Sequence, residues 1–326
     1  MVLYPLKFKP IYQERVWGGN KLSTVLKRVK KSRKPVGESW ELSPLSDSLS
    51  VVAGGFLKGN NIEELIEIYM GDLVGEKVYE TFGVEFPLLV KLIDSAEQLS
   101  VQVHPDDKTA LDRHKAYGKT EMWYVIDASE DSRIYVGFNK DLSVEEYWDR
   151  VRNGNFPDVM NVEKVKKGDV FFLPAGRVHA IGKNLLIAEI QQPSDITYRI
   201  YDWGRETQRE TAREMHYDLA ADIIDYKCRM PYGTQYDAAE NSATELVTCK
   251  YFTTNLLSFS EKTDRDYAAL DSFVVYMCME GQAKIVCDDE AAETVSAGET
   301  VLIPAIFNSV SIVPEQSVKL LEVYVP

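Results

Sequence analysis

Two segments of the chain share one pattern: KKGDVFFLPAGRVHAIG at residues 166–182 and SAGETVLIPAIFNSVSI at residues 296–312. Each places a glycine and an acidic residue before an apolar strand pattern, and each closes that pattern with a Pro-Ala pair. Upstream, EMWYVIDASEDSRI at 121–134 aligns in the same way with SFVVYMCMEGQAKI at 272–285. Strands separated by Gly and Pro turns in this order are typical of a small antiparallel barrel. The pattern therefore predicts two copies of such a barrel, with chance similarity of two strand-turn segments as the alternative.

The remaining patterns predict a mainly β protein with peripheral helices, built from two cupin-like jelly-roll barrels. Helical spacing is confined to four segments, at 60–74, 106–118, 143–154 and 206–226. We expect a catalytic cupin domain at 1–235, with the helices around it, and a C-terminal barrel at 236–326. In the alignment of the two copies His179 lies opposite Ser309 and Glu121 opposite Ser272, so the second barrel should lack metal ligands and be structural.

Composition excludes several classes of function. The net charge is −14, from 51 acidic and 37 basic residues, which opposes binding to nucleic acid or to an anionic membrane. No apolar run is long enough for a spanning helix, and the first residues do not resemble a signal peptide. The four cysteines form no C-x-x-C pair and are expected to be free thiols. We expect a cytoplasmic protein with a small-molecule partner and no obligatory protein partner.

The segment LSVQVHPDD at 99–107 suggests a metal site. Gln102 and His104 are two residues apart, so they lie on one face of a strand. Glu121 begins another strand, and His179 follows the first Pro-Ala pair. If these strands line one barrel, the four side chains would offer two imidazoles, a carboxylate and an amide oxygen. That set suits zinc, and also cobalt, manganese or iron. A structural histidine at a strand end is the alternative.

The same alternation makes two further predictions. Ser100 should face the cavity with the two proposed ligands, whereas Val101 and Val103 should pack into the core between the sheets. The aspartates Asp106 and Asp107 are explained by the start of a helix.

Five segments resemble the type I phosphomannose isomerases, in their shorter bacterial form. The order of Q-x-H-P-D, K-x-E and P-A-G-x-x-H-A is far more specific than any one of them. The resemblance covers most of residues 1–205 and rests on WELSPL (40–45), PLLVKLID with LSVQVHPDD (87–107), GKTEMWYV (118–125), LPAGRVHAIG (173–182) and AEIQQPSDITYRIYDWGR (188–205).

This resemblance implies reversible, zinc-dependent isomerisation of mannose 6-phosphate and fructose 6-phosphate through a cis-enediol, with one Zn²⁺ per chain. It also implies a role for individual residues. The implied metal ligands are Gln102, His104, Glu121 and His179. The implied catalytic residues are Lys119, Glu189 and Arg199. The implied substrate- and phosphate-binding residues are Lys91, Ser100, Asp195 and Arg205.

Several alternatives stay open at this level. Glu189 lies on a largely apolar strand, where desolvation would raise the pKa of a carboxylate toward neutrality and suit it to proton transfer. The alternative is a structural acid paired with Arg199. Arg199 could instead be an ion-pair partner of Asp195. The whole protein could be a cupin isomerase of another sugar, a metal-dependent oxygenase, or a non-catalytic phosphosugar-binding cupin. The spacing between Glu121 and His179 is also too short for the large helical domain that longer relatives carry there.

Overall fold

The computed structural model describes residues 3–28, 35–207, 212–288 and 291–326. Most of its regular structure is antiparallel β-sheet, which confirms the prediction of a mainly β fold. No helix of the described ranges is both long enough and apolar enough to span a bilayer.

Nineteen strands are present in the described residues. They are β1 Ile11–Gly19, β2 Val36–Leu42, β3 Leu89–Ser95, β4 Val101–Val103, β5 Glu121–Ala128, β6 Arg133–Phe138, β7 Met160–Lys164, β8 Val170–Leu173, β9 His179–Ile181, β10 Leu185–Gln191, β11 Tyr198–Tyr201, β12 Gly233–Thr234, β13 Ser242–Thr248, β14 Thr253–Phe259, β15 Thr263–Asp266, β16 Val274–Cys287, β17 Ala291–Ser296, β18 Thr300–Ile303 and β19 Ser309–Tyr324.

The helices of the same residues are short. They are α1 Lys21–Thr24, α2 Ile62–Tyr69, α3 Gly71–Val74, α4 Glu76–Phe82, α5 Asp107–His114, α6 Val144–Arg152 and α7 Tyr217–Ala221, with 3₁₀ turns at Phe156–Val159 and Arg205–Thr207.

The strands form three sheets. The first has the order β1-β2-β3-β10-β5-β8-β12 and the second has the order β11-β4-β9-β6-β7. The third has the order β13-β14-β19-β16-β17, with β15 paired to β19 and β18 paired to β16.

By their internal contacts the residues fall into two compact units. One consists of Tyr12–Ser39 and Lys91–Thr234 and contains every proposed site residue, so we call it the site unit. The other consists of Met1–Ile11, Trp40–Val90 and Gln235–Pro326, and we call it the distal unit. The division predicted between residues 235 and 236, and the jelly-roll topology of each part, stay predictions.

The site unit has two apolar cores. One contains side chains of the first and second sheets together, including Trp123, Phe171 and Val136. The other lies between the second sheet and the helices, and contains Val101 and Val103. The two valines were therefore correctly predicted to be buried, but in the wrong core: they pack toward α6 and α7.

Three of the four helical segments are helical, with changed limits. Helix α6 begins at Ser143, whose side chain accepts a bond from the Glu146 N–H in a capping box, as a serine cap predicts. The 60–74 segment breaks into α2 and α3 because Met70 has φ 46°. Helix α5 ends at Lys115, in the left-handed region, and not at the glycine.

The prediction of one helix over 206–226 is wrong. The only α-helix in the described part of this segment is α7, Tyr217–Ala221. Before it the chain runs beside β11, because the His216 N–H donates to the Arg199 carbonyl at 2.8 Å and the Arg199 N–H donates to His216 Nδ1 at 3.2 Å. These long-range bonds replace the local bonds of a helix.

The internal repeat is visible in the strand pairing. β5 pairs with β8 with Glu121 opposite Leu173, and β16 pairs with β18 with Val274 opposite Ile303. Gly168 and Gly298, at the matching turns, have φ 91° and 84°. Since Leu173 and Ile303 are equivalent, the counterpart of Glu121 is Val274. The predicted alignment with Ser272 was two residues out of register.

Candidate metal centre and active site

The strand register of the site unit brings the proposed metal ligands together. Gln102 on β4 lies opposite His179 on β9. Glu121 is the first residue of β5, where it pairs with Gln191 of β10. His104 follows β4 immediately, on the face that Gln102 occupies.

Three of these side chains form a buried cluster. The His179 Nε2 atom lies 3.1 Å from Glu121 Oε1, and His104 Nε2 lies 3.6 Å from Glu121 Oε2. One ligand atom from each residue lies within 4.8 Å of the others, and all three residues are buried. The amide nitrogen of Gln102, which is partly buried, lies 3.3 Å from His179 Nε2, and rotation of that amide would present its oxygen instead.

The hydrogen bonds of both imidazoles leave one nitrogen of each ring free to bind a metal. His104 Nδ1 lies 2.8 Å from the Ile196 carbonyl oxygen and His179 Nδ1 lies 2.9 Å from the Arg177 carbonyl oxygen. A carbonyl can only accept, so each Nδ1 carries the proton and each Nε2 presents a lone pair to the cluster. The residues present therefore fit a divalent transition metal, with two imidazole nitrogens and a carboxylate.

Electrostatics support the same conclusion. Burial, helped by neighbouring Lys119, lowers the pKa of His104 well below its usual value, which keeps that ring neutral. Burial alone would raise the pKa of Glu121, but Lys119 and the two histidines outweigh it and hold that pKa well below normal. Both carboxylate oxygens are buried without a hydrogen bond of normal geometry from the described residues. An ionised, under-coordinated carboxylate in such a place is a good metal ligand.

Lys119 lies at the edge of the cluster. Its Nζ atom is 3.1 Å from Glu121 Oε2 and 3.3 Å from His104 Nε2. Burial lowers the Lys119 pKa, but Glu121 and Glu189 reverse the effect and the net pKa is raised, so the side chain is an ammonium group.

The loop that carries Lys119 is fixed by Asp107 and Gln192, for which the sequence patterns predicted no such role. The Gly118 N–H and the Gln192 amide both donate to Asp107 Oδ1, at 3.2 and 2.8 Å. The Thr120 N–H donates to Gln192 Oε1 at 2.9 Å. Asp107 thus does more than begin α5. The only hint of this role in the sequence was that a second acidic residue, Asp107, follows the helix cap Asp106.

Glu189 lies in a buried polar group beside the metal cluster. Its Oε1 is 3.2 Å from Lys91 Nζ, and its Oε2 accepts a bond of 2.8 Å from the Trp123 indole N–H. Lys91 also donates to Gln191 Oε1 at 2.7 Å. The edge of the Trp123 ring packs on His179, with ring centres 5.1 Å apart. The ion-pair partner of Glu189 is Lys91, so its proposed pairing with Arg199 is wrong.

Of the residues proposed for the substrate and its phosphate, Lys91 lies beside Glu189, and the others lie on β11 or near it in the chain or the sheet. Arg199 donates from Nε to Ser100 Oγ at 3.1 Å and from Nη1 to the Glu214 carbonyl at 2.8 Å. Arg205 bonds to Asp202 and to the Gln98 carbonyl. Asp195 is the outlier, because it lies on an exposed part of the loop between β10 and β11.

The comparisons with known proteins agree on one family. Residues 5–124 match the model of the phosphomannose isomerase type I catalytic domain. The chain is 33% identical over 310 residues to mannose-6-phosphate isomerase ManA of Bacillus subtilis, which covers 93% of this chain and 94% of that protein. It is 37% identical over 220 residues to the mannose-6-phosphate isomerase of Streptococcus mutans, covering 68% of this chain and 67% of that one.

Solved structures extend the likeness to the whole chain. The crystal structure of the Bacillus subtilis mannose 6-phosphate isomerase has a TM-score of 0.86 and 28% identity, covering 99% of both chains. The apo mannose 6-phosphate isomerase of Salmonella typhimurium, at 17% identity and a TM-score of 0.79, covers 99% of both chains and shares the fold.

Proposed function

This chain belongs to the type I phosphomannose isomerases and interconverts mannose 6-phosphate and fructose 6-phosphate, and on that premise we propose that it does so as a zinc enzyme. The observation that carries the zinc proposal is the buried cluster of His104, Glu121 and His179, whose imidazoles turn their unprotonated nitrogens toward one carboxylate.

We assign four ligands to the zinc: His104 Nε2, His179 Nε2, a Glu121 oxygen and the Gln102 amide oxygen. Two neutral imidazoles and one carboxylate around Zn²⁺ leave a net charge of about +1, and the neutral amide does not reduce it. When bound there, zinc would supply Lewis acidity toward oxygens of the sugar.

Proton transfer is assigned to Glu189. Isomerisation requires a base that removes the proton from C1 or C2 and returns it to the other carbon of the cis-enediol. Lys91 and Trp123 each hold one oxygen of the Glu189 carboxylate, so its orientation is fixed before the sugar binds. Glu189 is only 3% exposed, so bulk water is kept away from the proton that it transfers.

Two cations and a group of phosphate residues complete the assignment. The Lys119 ammonium donates to a sugar oxygen on which charge develops, and Arg199 neutralises the anionic substrate from the β11 side. Ser100 and Arg205 are assigned to the phosphate, Lys91 to the substrate beside Glu189, and Asp195 to a sugar hydroxyl. The bond from Arg199 to Ser100 supports a common site for those two residues.

The substrate is thus a small phosphosugar. We further propose a cytoplasmic enzyme that needs neither nucleic acid, membrane nor an obligatory protein partner. The net charge of −14 supports the first two of these exclusions.

The test is isomerase activity against metal content. Zinc-loaded protein should convert fructose 6-phosphate to mannose 6-phosphate, followed by a coupled assay, and chelation should abolish the activity until zinc is returned. His179→Ala should lose both bound zinc and at least about three orders of magnitude in kcat/KM, since it removes a ligand. His114→Ala, at an exposed histidine outside the cluster, is the control and should keep both. Absence of turnover by fully loaded wild-type protein, or full activity after chelation, would contradict the proposal.

A further inference from the structure

Two arginines bond to one buried carboxylate just after β11, and a third arginine, Arg199, lies on that strand. Asp202 has no exposed side-chain surface. Arg205 donates to it from Nε at 3.2 Å and from Nη2 at 2.8 Å. Arg213 donates to it from Nε at 3.1 Å and from Nη2 at 2.5 Å. Two guanidinium groups therefore share a single negative charge.

The third arginine is Arg199, which lies close enough to be affected by the other two. Burial lowers the pKa of its guanidinium, and Arg213 and then Arg205 add to that effect, while Asp202 opposes it. Glu214 offers Arg199 its backbone carbonyl, and its carboxylate is 84% exposed. Among the described residues, Asp202 is the only carboxylate that bonds to any of these three guanidinium groups.

Hydrogen bonds of the neighbouring backbone hold Arg213 in this group. His216, three residues later, is bonded in both directions to the backbone of Arg199. The other side of the group is held to the loop between β3 and β4, which contains Ser100, because Trp203 Nε1 donates to the Leu99 carbonyl at 2.6 Å. Arg205 donates to the Gln98 carbonyl, at 2.7 Å, on the same stretch. The guanidinium groups are therefore held in place before any ligand binds.

We propose that Arg213 binds the phosphate of the substrate, together with Arg199, Arg205 and Ser100, and that Asp202 positions Arg205 and Arg213 for this contact. The proposal rests on the proposed function, since it completes the phosphate end of that site. Asp202 uses Nε and Nη2 of both arginines, and among the described residues Nη1 of neither makes a hydrogen bond. A free guanidinium donor on each arginine can bond to a phosphate oxygen. No sequence motif pointed to Arg213, which lies in the segment that had been predicted as helix.

The test measures binding of inorganic phosphate by calorimetry, and KM and kcat for mannose 6-phosphate, on zinc-loaded protein. Arg213→Gln should weaken phosphate binding and raise KM by about tenfold to a hundredfold, the range expected for one charge-assisted contact, with kcat nearly unchanged. Arg213→Lys, which keeps the charge and loses the planar pair of donors, should give an intermediate effect. Arg152→Gln is the control at an exposed arginine of the same unit, and should match wild type.

The alternative is that Arg213 only neutralises Asp202. In that case Arg213→Gln would lower the melting temperature and leave phosphate affinity and KM at wild-type values, which overturns the proposal. If Arg213→Gln does not fold, wild-type phosphate affinity and KM in Arg213→Lys overturn it equally. The calorimetry needs no turnover, so reduced phosphate affinity in the variants supports the proposal by itself, whereas inactive wild-type protein would count against the proposed function alone.

Discussion

Asp94 is a buried acid that the proposed chemistry does not use. It lies on β3 with 1% of its surface exposed, and its Oδ2 accepts a bond of 2.8 Å from the Leu22 N–H. The chain passes close to it at Gly19, where a Cβ atom would lie 2.0 Å from Asp94 Oδ1, so a larger residue there would force the Asp94 carboxylate to move. Burial raises the pKa of Asp94 to about 6, although the N–H groups of Leu22 and Lys21 act in the opposite direction.

This pKa predicts a stability that falls as the pH rises. In the unfolded chain the pKa is near 3.8, so between about pH 4 and 6 the folded protein holds the proton more tightly and loses stability as that proton dissociates. Above pH 6 the total loss of folding stability is about 3 kcal/mol. Asp94→Asn, which keeps an acceptor for Leu22 and carries no charge, should therefore be more stable than wild type by up to about 3 kcal/mol at pH 8, with the gap narrowing toward pH 4.

Urea unfolding at several pH values measures that gap. Asp131→Asn, at an exposed aspartate of the same unit, is the control and should follow wild type at every pH. A stability difference between Asp94→Asn and wild type that is constant with pH, or absent at pH 8, would show that the charge of Asp94 does not destabilise the fold.

Single residues were predictable where alternation along a strand decides their direction. Gln102 and His104 lie on one face, and Val101 and Val103 on the other, as the period of two requires. Asp107 and Arg213 were not predictable, because their partners are distant in sequence: Gln192 for the first and Asp202 for the second. No local pattern encodes such contacts.

At the scale of the element, the repeated strands also repeat a buried acid. Glu189 on β10 pairs with Trp123 on β5, and Glu322 on β19 pairs with Tyr276 on β16. The matching turns make β5 and β16 equivalent, with the Gly168 N–H bonded to Val125 and the Gly298 N–H to Cys278. By this register Glu322 is the counterpart of Glu189. The distal unit therefore has an acid at the position of Glu189, although it has an apolar residue, Val274, at the position of Glu121.

The surroundings of Glu322 make it a structural acid. Arg265 donates to both of its oxygens, at 3.0 and 2.9 Å, and Asn255 donates at 2.7 Å. The Tyr267 hydroxyl also bonds to it. Glu322 has no exposed surface and the Arg265 side chain is 27% exposed. The carboxylate is therefore fully satisfied by neighbours of its own unit.

Glu322→Gln should be strongly destabilising. It removes the counter-charge of Arg265, and breaking one partner of a buried ion pair costs about 3 kcal/mol or more. Because β19 also carries an exposed glutamate, Glu315→Gln provides a matched control that should stay within about 0.5 kcal/mol of wild type. Denaturant unfolding compares the two, and equal stability of both variants would refute the structural role of Glu322.

Elements were predicted best where local signals were strong. The capping box at Ser143 and the strands around Glu121 and Glu189 are present as expected. The 206–226 helix failed because its amino-acid pattern is helical while its backbone bonds go to Arg199 on β11. Tertiary contacts overrode propensity there, and they cannot be seen in a single sequence.

For the molecule as a whole, the sequence predicted the mainly β fold class, whereas the long-range contacts that group its segments into compact units cannot be seen in it. The distal unit includes Met1–Ile11 and Trp40–Val90, which belong with the C-terminal strands through contacts far apart in sequence. Leu6 exchanges backbone bonds with Leu302, and the Glu76 N–H donates to Asp271 Oδ1 at 2.7 Å. Such pairings are decided by the folded chain and leave no mark in composition or periodicity.

The placement of three proposed zinc ligands in one unit predicts where zinc stabilises the protein. His104, Glu121 and His179 join the first sheet to the second, so the ion would bind only the folded site unit. At a free zinc concentration of about one hundred times Kd, such binding adds about 2.7 kcal/mol to the stability. Zinc should therefore raise the melting temperature of chelated protein and slow hydrogen exchange in β5 and β9, leaving β14 and β19 nearly unchanged. His179→Ala should show neither effect. Protection that zinc produces equally in the variant, or in β14 and β19 alone, would mean that the stabilising ion binds somewhere other than this cluster.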